Sequence, residues 1–147
     1  MKNLAPKAVW EHFYSLTQIP RPSGKKEEVS AFLAEYGKSL GLETIVDTIG
    51  NVIIRKPASP GYENHPGVIL QGHMDMVPQK NNDTVFDFAK DPIEAYVDGE
   101  WVTAKGTTLG ADNGIGVAAA MAILADKSIV HPPLEVLVTV DEETGMY

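Results

Sequence analysis

Three groups of polar residues follow apolar segments of the 147-residue chain and together could do metal chemistry. They are the pair His73 and Asp75, then Asp112 in a glycine-rich stretch, and finally the adjacent Glu142 and Glu143. In open α/β sheets, functional residues gather at the carboxyl ends of strands, because the loops there converge on one edge. We therefore expect the three groups to meet in space.

The segment "HMD" places His73 and Asp75 two positions apart. In an extended segment such residues share a face, so the Asp75 carboxylate could hold one ring nitrogen of His73 while the other nitrogen binds a metal. An isolated His-x-Asp pair is more often a surface or loop pair without a ligand. The pair by itself therefore does not decide between these interpretations.

The segment "GTTLGADNGIG" contains four glycines around Asp112. It has neither G-x-G-x-x-G nor G-K-[ST], so nucleotide binding is disfavoured. Two interpretations stay open. The glycines could serve a structural loop that needs positive φ angles, or they could let the backbone approach a metal closely while Asp112 presents its carboxylate.

The acids Asp141, Glu142 and Glu143 follow the apolar segment "LEVLVTV". Consecutive surface acids are commonly just solvated, but these lie immediately beyond a predicted buried strand. Adjacent carboxylates repel, and one tends to keep a proton unless a cation is bound. On an extended chain Glu142 and Glu143 face different ways, so one could bind a metal while the other acts as general base on the metal's water. No role for Asp141 follows from the sequence.

Hydrophobic periodicity predicts two amphipathic helices at the start of the chain, over residues 6–19 and 25–40. Ser23 is predicted to cap the second helix, and Gly41 to end it. A further helix over 117–126 is apolar on nearly all faces, so it should be sandwiched between other elements.

Two hairpins are predicted, with turns at Gly50-Asn51 and Asp98-Gly99. Buried strands are predicted from Val68 towards Pro78 and over 134–140. Strand, glycine-rich loop, buried helix and strand in this order indicate an α/β layered domain with helices covering a sheet.

Composition excludes several classes of function. Lysine and arginine total 12 against 20 acids, for a net charge of -8, which argues against a nucleic-acid partner. Without cysteine there is no disulfide scaffold, thiolate site or cysteine nucleophile, so a metal must use His, Asp or Glu. No segment has a signal-peptide core or the roughly 20 apolar residues of a membrane helix. We expect a cytoplasmic protein without a membrane partner.

Three ordered segments, "QGHMDMVPQKN", "TTLGADNGIGVAAAMAIL" and "LEVLVTVDEETGM", resemble the cocatalytic zinc aminopeptidases and deacylases, a superfamily that includes carboxypeptidase G2-like enzymes and peptidase T. The resemblance runs over the whole chain and is strongest to the aminoacyl-histidine dipeptidase branch. It implies a layered α/β zinc-exopeptidase-like catalytic domain, with helices on both faces of a sheet, over residues 1–147 and incomplete at the C-terminus.

The resemblance also implies roles for the site residues. His73 would ligate one zinc ion, oriented by Asp75, and Asp112 would bridge two zinc ions and be followed by a cis peptide bond. Glu142 would be the general base, and Glu143 would ligate the second zinc ion. Cobalt or manganese could substitute for zinc.

The activity implied is zinc-dependent hydrolysis of dipeptides, with aminoacyl-histidine dipeptides among the substrates. Alternatives are a deacylase or tripeptide aminopeptidase of the same superfamily, or a non-catalytic metal-binding or subunit-interacting remnant. In members of the superfamily, each zinc ion has one more ligand from later in the chain, and a second domain from the same later region binds the substrate. His12, His65 and His131 are poor replacements for the later ligands. We expect the opening part of a longer, homodimeric enzyme, inactive or weakly active alone.

Overall fold

The computed structural model describes residues 1–145, so the last two residues of the predicted domain, Met146 and Tyr147, lie outside the described part. The elements in chain order are α1 (Lys7–Thr17), α2 (Glu27–Ser39), β1 (Glu43–Val46), β2 (Val52–Lys56), β3 (Val68–His73), β4 (Ala95–Asp98), β5 (Trp101–Ala104), α3 (Ala111–Ala125) and β6 (Leu134–Thr139). A 3₁₀ turn over Glu142–Thr144 follows. Within residues 1–145, the helices are too short or too polar to span a bilayer.

Four strands form a mixed sheet in the order β1-β2-β6-β3. The β1–β2 and β2–β6 pairs are antiparallel, whereas β3 and β6 are parallel, with His73 opposite Thr139. Parallel neighbours need a crossover connection, and here α3 lies within it. Because β3 and β6 run the same way, the segments that follow them leave the sheet at the same edge. The expected convergence of the polar groups therefore has a topological basis.

One hydrophobic core joins the sheet to all three helices. Alternate residues of β2 and β6 point into it, as the two-residue period of a strand requires. The helix α3 lies between α1 and β3, so its predicted sandwiched position is confirmed. The buried residues that meet here include Phe13, Leu16, Val29, Leu33, Val52, Ile54, Val117, Met121, Val136 and Val138.

The layered α/β fold is confirmed. Within residues 1–145, the core that joins the three helices to the sheet lies on one face, formed by alternate residues of β2 and β6. On the opposite face, Ile53 and Leu137 are half-buried and Arg55 is exposed. Ile69, on the edge strand β3, is 62% exposed. An open sheet face with apolar residues is therefore a feature of the described chain.

Both predicted hairpins form, and both differ in their turns. The second turns at Gly99-Glu100, because Asp98 is the last residue of β4 and pairs with Trp101. The chain between β1 and β2 spans residues 47–51 rather than turning tightly at Gly50-Asn51. The Asp47 carboxylate causes this wider turn, because it accepts the backbone N–H groups of Ile49, Gly50 and Asn51 at 2.9–3.0 Å. The second hairpin, β4–β5, is a separate two-stranded sheet.

Candidate metal centre

His73 and Asp75 lie where β3 ends, and both are buried. The Nδ1–H of His73 donates to the carboxylate Oδ1 and the backbone oxygen of Asp75, each at 3.0 Å. The shared face predicted for the two residues is confirmed. With its hydrogen on Nδ1, the neutral ring presents the Nε2 lone pair on the opposite side, which is the tautomer that a metal requires.

Asp112 lies in the first turn of α3. The helix begins at Ala111, within the glycine-rich stretch, whereas the sequence predicted a start at residue 117. Asp112 and Asn113 depart from helical φ and ψ angles, and the peptide bond between them is cis, as the resemblance implies. The Asp112 Oδ1 lies 3.0 Å from His73 Nε2, although the Asp112 side chain is 85% exposed. The carboxylate thus faces both the imidazole and solvent.

Glu142 and Glu143 occupy one tight turn rather than the extended chain expected. Asp141 has φ 51°, and the 3₁₀ turn follows directly. Both carboxylates consequently approach the same ring nitrogen of His73: Glu142 Oε2 lies 3.7 Å from Nε2 and Glu143 Oε1 lies 4.0 Å from it. The acidic turn, defined here as residues 141–144, therefore forms one wall of the site.

The Asp75 carboxylate links the segments of the site. It accepts the backbone N–H groups of Glu142 at 3.1 Å and Glu143 at 3.2 Å, in addition to the His73 ring. The Ser23 hydroxyl donates to Asp75 Oδ2 at 2.5 Å, the oxygen that also accepts the Glu143 N–H. Burial raises the pKa of Asp75, but these hydrogen bonds outweigh that effect and hold the pKa below its ordinary value.

Ser23 has a different role from the predicted one. The helix α2 begins at Glu27 with Lys26 in the capping position, and no side chain caps it. Ser23 lies too early to cap the helix and donates to Asp75 instead. The predicted cap would have made the Ser23 oxygen an acceptor of a helix N–H, whereas the structure makes its hydroxyl a donor to a carboxylate 52 positions away.

Asp141 is a site residue for which the sequence gives no role. Its Oδ1 accepts the backbone N–H of Gly24 at 2.8 Å, and its Oδ2 lies 3.7 Å from Lys26 Nζ. These contacts attach the acidic turn to the segment before α2. No sequence signal points to them, because the main partner is a backbone amide that any residue would supply.

The charges around His73 favour a cation at the site. Burial lowers the pKa of His73, but hydrogen bonds to Asp112 and Asp75 and the negative charge of Asp75 outweigh it and raise the pKa overall. Burial and the negative charges of Asp112 and Glu142 raise the pKa of Glu143. A bound cation would relieve this repulsion between carboxylates.

The donor atoms fit a metal ion. One ligand atom each from His73, Asp112 and Glu143 lie within 4.8 Å of one another, the one such group in residues 1–145. A tetrahedral ion with ligands at about 2.1 Å holds its donor atoms about 3.4 Å apart, which is comparable to the spacing within this group. Three protein donors leave a further coordination position for water, and His12, His65 and His131 lie outside this group.

A family model described as "Peptidase family M20/M25/M40" matches residues 69–147, a span that includes His73, Asp112, Glu142 and Glu143. The chain belongs to this peptidase family. M20 peptidases are metal-dependent, in agreement with the donor group of the site.

Relatives with known sequences or structures extend this assignment. This chain is 54% identical to the cytosol non-specific dipeptidase of Escherichia coli K12, over 99% of its own length and 30% of that protein. Aminoacylhistidine dipeptidase from Vibrio alginolyticus superposes with a TM-score of 0.96 at 54% identity, with the same two coverages. The chain thus spans less than a third of the length of either.

The aminopeptidase PepT from Bacillus cereus superposes with a TM-score of 0.75 at 24% identity, over 95% of the M20 chain and 37% of that protein. At this identity the likeness concerns the fold alone.

Proposed function

We propose that this chain carries the general base and three metal ligands of a dipeptidase, with aminoacyl-histidine dipeptides among its substrates. The observation that carries the proposal is the convergence of His73, Asp112 and Glu143, with Glu142 beside them. The names of the two relatives at 54% identity, a non-specific dipeptidase and an aminoacylhistidine dipeptidase, support the substrate class.

The ligands would be His73, Asp112 and Glu143, and the ion zinc, with cobalt or manganese as substitutes. Asp112 has the exposure to bridge a second ion, since most of its carboxylate faces solvent. Asp75 would not touch the metal, because its carboxylate is fully engaged by Ser23, His73 and the acidic turn. When bound, zinc lowers the pKa of a coordinated water to about 7 and polarises a carbonyl group.

Glu142 has the position of a general base. Its carboxylate lies beside the ligand atoms without belonging to their group, and its side chain is 41% exposed and hence accessible to substrate. Glu142 would take a proton from the water that attacks the peptide carbonyl and return it to the leaving amine. General acid–base catalysis of this kind contributes roughly 10²- to 10⁴-fold to the rate.

The proposal extends to the larger protein. We propose that residues 1–147 are the N-terminal part of a catalytic metallopeptidase domain, which in its full-length form is a cytoplasmic homodimer. The 30% coverage of both relatives supports the first statement, and the name of the E. coli relative, a cytosol dipeptidase, supports the location.

A non-catalytic metal-binding module is the second candidate for the chain on its own. The 85% exposure of the Asp112 side chain favours it, because a site open on this side does not exclude water from a reacting peptide. Metal binding without turnover would separate this candidate from an active fragment.

Zinc binding followed by calorimetry tests the proposal. Zinc should bind the wild-type chain, Glu143→Gln should weaken binding, and Glu142→Gln should leave it largely unchanged. Glu63→Gln, in an exposed loop, is the matched control. A wild-type chain that binds no zinc, or a Glu143→Gln variant with wild-type affinity, would contradict the assignment of ligands.

Hydrolysis of alanyl-histidine by the zinc-loaded chain tests the activity. Turnover should exceed that of the Glu142→Gln variant, which keeps the metal but lacks the base. A folded, metal-loaded wild-type chain no faster than Glu142→Gln would reject catalysis by these 147 residues alone and favour the second candidate.

A further inference from the structure

We propose that Arg21 is a positioning residue that sets the distance between the two chain segments carrying His73 and Asp112. The inference rests on the proposed metal site and deepens it. No step of the proposed mechanism uses Arg21, yet it is the largest of the fully buried side chains in the described chain, with 2% exposure.

The Arg21 guanidinium bridges the two segments directly. Its Nη1–H donates to the backbone oxygen of Met74 at 3.1 Å, and its Nη2–H donates to the backbone oxygen of Gly110 at 2.7 Å. Met74 lies between His73 and Asp75, and Gly110 lies two residues before Asp112. One rigid planar group thus joins the end of β3 to the start of α3.

The Arg21 backbone is fixed independently of its side chain. The Arg21 oxygen accepts the N–H of Met76 at 3.0 Å, and the Met76 oxygen accepts the N–H of Ser23 at 3.2 Å. Pro22 therefore pairs with Met76 in a short parallel bridge, with residues 21–23 beside residues 75–77. The guanidinium therefore contacts the start of α3 from a backbone that is itself held in place by hydrogen bonds.

Two glycines of the glycine-rich stretch make room for the guanidinium. A Cβ atom at Gly110 would lie 2.7 Å from Nη2, and one at Gly114 would lie 2.5 Å from it. Gly110 also has φ 79°, which L side chains rarely adopt. The sequence left open whether these glycines serve loop conformation or close approach; at Gly110 and Gly114 the group approached is Arg21.

The cost of burying this cation argues for a specific task. Its contacts within residues 1–145 are carbonyl oxygens rather than a paired carboxylate, and its Nε has no hydrogen-bond acceptor there. A buried charge held in this way adds little stability compared with an apolar side chain of similar size. Its planar fork does, however, fix two acceptors relative to each other, which an ammonium group cannot do.

Titration with Co²⁺, followed by the visible absorption spectrum, separates positioning from general stability. Cobalt absorption reports the geometry of the ligand atoms, so a shift in the distance between His73 and Asp112 should change it. The variants are Arg21→Met, Arg21→Lys and Gly114→Ala, which keeps the arginine but displaces its guanidinium. Leu124→Ala, near the far end of α3, is the control for loss of core packing.

We expect Arg21→Met to lower Co²⁺ affinity by about 10-fold or more and to alter the spectrum, as loss of supporting residues around a metal does. Gly114→Ala should produce the same spectral change. Arg21→Lys keeps the positive charge but should not restore the wild-type spectrum, because an ammonium group cannot fix two acceptors relative to each other. Leu124→Ala should lower stability and leave affinity and spectrum unchanged.

The inference is overturned if Arg21→Lys or Gly114→Ala binds Co²⁺ with the wild-type affinity and spectrum, or if Leu124→Ala changes the spectrum equally. If Arg21→Met does not fold, Arg21→Lys and Gly114→Ala decide the result. A wild-type chain that binds no Co²⁺ would overturn the proposed metal site itself, whereas binding unaffected by the variants overturns only the role of Arg21.

Discussion

At the scale of single residues, the Asp75 carboxylate both orients the His73 ring and holds the backbone of the acidic turn. One oxygen accepts from the His73 ring and the Glu142 N–H, and the other accepts from Ser23 and the Glu143 N–H. The residue that selects the imidazole tautomer therefore also holds the acidic turn. Orientation of the proposed metal ligand and placement of the proposed general base depend on the same side chain.

Replacing Asp75 with Asn should therefore weaken metal binding, by about 10- to 100-fold, as expected for a group that orients a metal ligand. Asn keeps the volume but loses the charge and one acceptor oxygen. Calorimetric titration with zinc measures the change. Equal zinc affinity in Asp75→Asn and wild type would contradict the orienting role.

Ser23→Ala should destabilise the fold by about 1.5–3 kcal/mol, because it removes a hydrogen bond to a buried carboxylate. Urea unfolding measures the difference. Ser39→Ala, at the exposed end of α2, is the control and should stay within about 0.5 kcal/mol of wild type. If the two variants unfold at the same urea concentration, the Ser23 hydroxyl does not stabilise the site.

At the scale of elements, the site depends on one parallel strand pair and the helix between its strands. Because β3 pairs in register with β6, His73 lies beside Thr139, and the acidic turn begins two residues later. The helix α3 begins at this edge, where Asp112 lies 3.0 Å from His73, and carries the chain back to the opposite edge, where β6 starts. The antiparallel hairpin β1–β2 extends the sheet from the other side of β6.

The turn of that hairpin has a pH dependence that can be measured. The Asn51 side chain and three backbone N–H groups donate hydrogen bonds to Asp47 and hold the pKa of its carboxyl below the ordinary value. A lowered pKa means that the stabilisation is complete above the ordinary value and is lost as the pH falls through the lower, folded-state value. Asp47→Ala should therefore lower the urea midpoint at neutral pH.

The difference between Asp47→Ala and wild type should shrink as the pH falls well below 3.8. Glu63→Ala, in the exposed loop before β3, controls for removal of a surface charge. A difference that is the same at neutral and acidic pH would show that the Asp47 side chain acts through something other than its ionised hydrogen bonds.

At the scale of the whole molecule, the helices shield one face of the sheet and leave the other in contact with solvent. The edge strand β3 carries Ile69, 62% exposed, and the neighbouring Val68, 42% exposed. Edge strands with exposed apolar side chains are templates for pairing with other chains. The described chain therefore has a surface prone to self-association.

Ile69→Lys should reduce self-association, because a lysine on an edge strand opposes pairing with another chain. Sedimentation velocity over a range of protein concentrations measures the effect. Val85→Lys is the matched control, since Val85 is fully exposed but lies outside the sheet. If Ile69→Lys associates as strongly as Val85→Lys, the open face is not the route of association.

The sequence by itself determined which helices and strands form, though not all of their bounds, and the candidate ligands, because both depend on near neighbours in the chain. The 3.6-residue period of α1 and α2 and the two-residue spacing of His73 and Asp75 follow from local backbone geometry. The parallel strands then required one shared edge, so the meeting of His73, Asp112 and Glu143 could also be predicted.

Only the tertiary structure decided how these residues are held. Asp75 accepts backbone amides 67 and 68 positions away, Asp141 accepts one 117 positions away, and Arg21 reaches a carbonyl 89 positions away. Every residue except proline offers the same backbone amide and carbonyl, so composition and spacing carry no signal for such partners. Which amide meets which side chain is settled only when the sheet and helices pack.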